Sequence, residues 1–144
     1  MTAFRTLKVT VVAGLICILW SIATPVAIAL VPIELSDISY RECPPEFSDG
    51  AVVSGSTSAA NCFLVTGKAE NRTRKPVVNA DVFGRIYDAN NNNVLPNRGR
   101  IGSIDEVPPG TSDFQFRISV PATQPLPLQL KKLKASGFVG RVRR

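Results

Sequence analysis

The residues most suggestive of chemistry are in the tract "DANNNN", where Asp88, Asn90 and Asn92 occupy alternate positions. Calcium loops place oxygen ligands at this spacing, because a hard cation wants several carboxylate and carbonyl oxygens. The rest of such a loop is missing: the sixth position is Asn93 rather than glycine, and the twelfth is Gly99 rather than a bidentate glutamate. One formal charge attracts a divalent ion weakly. Asparagine also tolerates positive φ and ends strands. The tract is therefore expected to turn the chain. No metal site or cofactor is assigned, and Asp88, Asn90 and Asn92 stand only as weak ligand candidates.

Catalysis lacks a constellation. The chain has no histidine, which removes the commonest general base and any Ser-His or Cys-His nucleophile pair. Asp105 and Glu106 are neighbours that a strand sends to opposite faces. No serine sits in a G-x-S-x-G elbow, and nothing in the spacing of Tyr40, Tyr87 and the acids brings them together. No catalytic residue is assigned, and the chain is read as a non-enzyme.

Two cysteines carry covalent chemistry. Cys43 in "YRECPPEF" and Cys62 in "AANCFLV" are expected to form a disulfide, since cysteines outside the cytoplasm tend to be oxidised. A redox role would want a close Cys-x-x-Cys pair. The enclosed stretch is rich in Pro, Gly and Ser and gains from a staple. The export reading comes from the start of the chain. Arg5 and Lys8 precede an uncharged run from Val9 to Leu30. As a signal peptide, Ala27-Ile28-Ala29 is the small-x-small site for cleavage before Leu30. As an anchor, Val9 to Val31 can just cross a bilayer of ~30 Å. A strand pattern begins at Val31 and leaves an anchored domain no spacer, so cleavage is the expectation. Cys17 is embedded in the apolar run and lacks the small residues that precede a lipidated cysteine.

Basic charge is unevenly spread. The net charge is +6. Lys131, Lys132, Lys134, Arg141, Arg143 and Arg144 lie after residue 130, and the remaining basic residues balance the 11 acidic ones. These six and Phe138 are the candidate partner-binding residues, fitted to an acidic protein or an anionic membrane surface. Arg72, Arg74 and Lys75, and likewise Arg98 and Arg100, read as solvated turns. Nucleic-acid binding wants cations interleaved with aromatics on one surface, and aromatics are 7% of this chain. "NRT" at Asn71–Thr73 matches a glycosylation acceptor but reads as a turn in a bacterial protein.

These residues need elements to position them, and the elements are strands. "VPIELSDISY" alternates with a slip at Asp37. "CFLVTGKAEN" puts Phe63, Val65, Gly67 and Ala69 on one face. "VVNADVFGRIYD" puts Val78, Ala80, Val82 and Ile86 inward and Asn79, Asp81 and Arg85 outward, with Phe83 and Tyr87 sharing the outer side. "RIGSIDEV", a "PPG" turn and "SDFQFRISV" follow, the last with Phe114, Phe116, Ile118 and Val120 inward. "PATQPLP" suits an edge or crossover, and "LQLKKLKA" is the last strand. About seven short strands with frequent turns predict an all-β, antiparallel sandwich. The expected organisation is a leader or anchor over 1–29, one domain over 31–136 and a basic tail over 137–144.

The run "FLVTGKAENRTRKPVVNADVFGRIYDANNNNVL", followed by "IDEVPPGTSDFQFRISV", resembles the FxLYD-type domains of exported bacterial proteins. The matching features are a "TGxxxN" strand end (Thr66, Gly67, Asn71), "IYD" (Ile86, Tyr87, Asp88) and a "PG…F" return (Pro109, Gly110, Phe114). Gly84 stands where the pattern has its Phe, with Phe83 one place earlier. The resemblance covers about residues 33 to 135. It implies a small immunoglobulin-like sandwich acting as an accessory or interaction module, without catalytic residues. The resulting expectation is a non-enzymatic interaction or assembly module outside a bacterial cytoplasmic membrane, in the periplasm or the thylakoid lumen. The alternatives are an accessory subunit of a membrane complex held by an uncleaved helix, and a ligand-binding sandwich with a loop site.

Overall fold

Alternation of apolar and polar residues produces strands here because each strand has one face to bury. The computed structural model describes residues 30–53 and 56–140. The predicted leader, with its cleavage residues Ala27 and Ala29, lies outside the described residues. Six strands follow in order: β1 (Leu30–Glu42), β2 (Ala60–Asn71), β3 (Val77–Tyr87), β4 (Arg100–Val107), β5 (Gly110–Pro121) and β6 (Gln129–Val139). One four-residue helix, α1 (Pro45–Ser48), sits between β1 and β2. All strand pairings are antiparallel, in the spatial order β4-β3-β6-β1-β2-β5. Ala122–Leu128 is turn, bend and irregular chain rather than a seventh strand, as its prolines, which cannot donate to a ladder, dictate.

The sheet curls until it is nearly a barrel. β1 begins against β6, with Leu30 opposite Phe138 and Ile33 opposite Ala135, then crosses to β2, with Glu34 opposite Glu70 and Glu42 opposite Phe63. The two edge strands meet across the interior, where the Phe116 ring of β5 lies so close to Gly102 of β4 that a Cβ there would overlap it. The core fills with Phe63, Val65, Val77, Val82, Ile86, Val107 and Val120, all nearly solvent-free. Burying such side chains is worth ~1.5–3 kcal/mol each. Tyr40 stacks edge-on with Phe63, and its hydroxyl accepts the Leu128 N–H at 2.7 Å.

Four register shifts interrupt the strand pairings. In three of them an extra residue in left-handed backbone faces a glycine on the neighbouring strand: Asp37 (φ 50°) beside Gly67, Asn79 (φ 49°) beside Gly137 and Lys132 (φ 56°) beside Gly84. A Cβ on Gly67 would lie 2.7 Å from the Ser36 carbonyl oxygen, and one on Gly137 would lie 2.8 Å from that of Val78. The glycines are required by close approach, since the bulging carbonyl leaves no room for a side chain. The slip at Asp37 is thus a bulge. The bulge at Asn79 corrects one expectation: Val77 is buried and Val78 lies outside it, because the added residue shifts the inward phase.

Candidate interaction face

The described chain ends in β6, and Lys131, Lys132 and Lys134 lie in this strand as expected. Lys131, Lys132, Lys134 and Phe138 belong to a strand hydrogen-bonded to β3 along its length and to β1 at its lower end. Gly137, Phe138 and Val139 are paired strand residues, so the sheet runs three residues beyond the expected boundary at 136. Arg141, Arg143 and Arg144 lie outside the described residues.

Cross-strand partners share a face. Phe83 sits between Arg100 of β4 and Lys134 of β6, and Arg85 sits opposite Lys131. Phe83, Arg100, Lys131, Lys132 and Lys134 are exposed. The outer surface of β4-β3-β6 therefore gathers cations from three strands around the Phe83 ring, which is 43% exposed. Lys131 Nζ lies 5.0 Å from the centroid of the Tyr87 ring, within cation–π range. Arg85 donates to the Arg98 carbonyl at 3.0 Å. Asp81 is the acid within this group, and it holds Arg100 through a 2.6 Å bridge between exposed side chains. Such a bridge is worth little in water. Its value here is to fix the guanidinium beside Phe83.

Arg100 corrects the solvated-turn reading, because it opens β4 as part of this face. Arg74 and Lys75 do sit in the β2–β3 turn, and Arg72 there bridges Glu34 at 2.7 Å and Glu70 at 3.2 Å. Sequence reasoning missed Arg85 and Arg100 as members of one surface with the lysines. The available signal was that Phe83, Arg85 and Tyr87 alternate along the polar side of "VFGRIY".

The asparagine tract is a turn. Asp88 is 2% exposed, and its carboxylate accepts the N–H groups of Asn90 and Asn92, each at 2.8 Å, and the Asn92 side-chain amide at 3.1 Å. Asn91 takes φ 62°, and Val94 N–H returns to the Ile86 carbonyl. Burial pushes the Asp88 carboxyl upward, but the bonds from Asn92 and Asn90 stabilise its charged form and hold it below its ordinary value. The two proposed ligands Asp88 and Asn92 thus bond to each other, while Asn90 points its side chain to solvent. Among the described residues, no cluster of three or more His, Cys, Asp or Glu could hold a metal.

Cys43 and Cys62 are joined, with Cα atoms 5.3 Å apart. Their bond closes the base of the long β1–β2 connection, where Cys43 N–H also bonds the Cys62 carbonyl. The disulfide fits an oxidising, exported compartment. Asn71, the potential glycosylation acceptor, is 1% exposed. Its amide donates to the carbonyls of Lys75 and Val107 at 2.9 Å each, and its oxygen accepts from Thr73. The folded chain offers no free amide there for a sugar. No helix among the described residues is long and apolar enough to cross a membrane. No family model, curated protein or solved structure matches the chain.

Proposed function

We propose that this chain is an exported, non-enzymatic interaction module, and that the outer surface of β4-β3-β6 is its contact face. One observation carries the reading: cations from three separate strands converge on an exposed aromatic with a single acid among them. Solvated lysines scattered for solubility need no such convergence, and interfaces favour arginine and aromatic residues. The partner class is acidic. The disulfide and the uncharged N-terminal run support export.

The fold reading goes with it. β1 divides its pairing between β6 and β2, and we read the β4-β3-β6 and β2-β5 parts of the single curled sheet as the two leaves of an immunoglobulin-like sandwich, the fold that the resemblance to FxLYD-type domains implies. The test is capture of partners from the exported fraction by the chain and by the Lys131→Glu, Lys134→Glu double variant. Loss of acidic partners in the variant is expected. Identical capture by both would remove the face from consideration.

A further inference from the structure

We propose that this face seats on an anionic bilayer surface; the inference rests on reading the face as the module's contact surface. Three observations choose a membrane over an acidic protein. The first is the lower rim of the face, where Val78, Phe138 and Leu30 pair across β3, β6 and β1 to form an apolar row. Leu30 is 57% exposed. Above that row come Asp81 and Ser136, then Arg100, Phe83 and Lys134, then Arg85 and Lys131. Apolar and aromatic side chains beside lysine and arginine suit the headgroup boundary, where rings insert and cations meet phosphates. The opposing charges are Asp81, Glu106, opposite Val78 at the β4 edge, and its exposed neighbour Asp105.

The second observation is continuity. In sequence, the uncharged run that starts at Val9 reaches Leu30, the first residue of β1 and part of that same rim. Retained in a bilayer, it brings the rim to the headgroups. Removed before Leu30, it leaves a new cationic amino terminus there. The third is that, in sequence, Arg141, Arg143 and Arg144 come directly after Gly140, the residue that follows β6, whose Phe138 pairs with Leu30.

The experiment uses the chain from Leu30 to Arg144, because among the described residues every buried core residue lies between Ile33 and Ala135. Flotation is measured with phosphatidylcholine vesicles and with vesicles in which about a third of the lipid is phosphatidylglycerol. Each cation is worth roughly a fivefold change in partitioning. The wild-type chain is expected to float only with anionic vesicles and to be released by salt. Lys131→Glu with Lys134→Glu should weaken flotation by at least about tenfold, and Phe83→Ser severalfold, with unchanged thermal melts. A chain ending at Gly140 should float more weakly but detectably. Absence of flotation, or flotation untouched by the lysine reversals, overturns the proposal. If flotation fails while the lysine reversals still abolish capture of an acidic protein, the membrane assignment falls and the contact-face reading stands. If neither responds, both fall.

Discussion

Replacing Asn71 with aspartate changes one atom's chemistry and almost nothing of its shape, so the result isolates what the buried amide contributes. Asn71 ends β2 and ties together three pieces of chain. Its amide donates at 2.9 Å to Lys75 O in the turn and to Val107 O at the end of β4, and its oxygen accepts the Thr73 N–H at 2.9 Å and hydroxyl at 2.8 Å. Aspartate keeps both Thr73 bonds. It replaces the amide with an oxygen facing two carbonyl oxygens at a site 1% exposed. Two lost hydrogen bonds cost about 1 kcal/mol each. An uncompensated buried charge adds at least about 2 kcal/mol. The expected destabilisation of Asn71→Asp is therefore about 4 kcal/mol at pH 7. One carboxyl oxygen keeps its Thr73 donors, but the other faces two carbonyl oxygens with no donor and the group is buried, so its folded pKa lies above the unfolded value of ~3.9. Protonation then favours the folded state, and the deficit relative to wild type shrinks as pH falls, because the neutral acid can donate one of the lost bonds. Urea denaturation at pH 7 and pH 4, with equal m-values required, measures this. A variant within 1 kcal/mol of wild type at pH 7, where about 4 kcal/mol is expected, would refute the account of Asn71 as a three-way tie.

Three further outcomes are expected. Converting Cys43 and Cys62 to serine should lower unfolding free energy by about 3 kcal/mol in chemical denaturation, since the bond closes a loop with a sequence separation of 19. The Asp88 carboxyl, held below its ordinary value, should contribute stability that is complete above the unfolded pKa of ~3.9 and lost as pH falls through the folded one; Asp88→Asn should flatten that part of an acid titration. Gly137→Ala should destabilise by about 1–3 kcal/mol, because its Cβ would meet Val77 Cγ1 at 2.7 Å and the Val78 carbonyl at 2.8 Å; Gly99→Ala, whose nearest neighbour is 3.9 Å away, is the control and should melt close to wild type.

The strands were legible where alternation ran unbroken. "SDFQFRISV" places Phe114, Phe116, Ile118 and Val120 inward as its pattern dictates, and "CFLVTGKAEN" does the same for Phe63, Val65 and Ala69. The disulfide was legible because two cysteines flanked a loop in a chain whose start reads as an export segment. The contact face was not. Its members come from "VFGRIYD", "GRIGS" and "LKKLK", and only non-local register brings those together. The lysines were legible as members of the last strand, "LQLKKLKA". That this strand lies inside the sheet depends on β3 and β1 both pairing with β6, a fact about topology that no local pattern carries.

The bulges explain why even a correct strand assignment would have missed the face. Lys131 and Lys134 are three residues apart, and strict alternation sends such residues to opposite sides of a sheet. The extra residue at Lys132 restores them to one side: Lys131 opposes Arg85, and Lys134 opposes Phe83. The bulge at Asn79 does the same for Val78 and Asp81. Each bulge needs a neighbour without a side chain, and for Lys132 that neighbour is Gly84, where a Cβ would stand 3.3 Å from the Lys131 carbonyl and 3.2 Å from Leu133 Cγ. A larger residue there would press on the bulge that aligns the two lysines, so the glycine makes room for cations on either side of Phe83 on the outer surface.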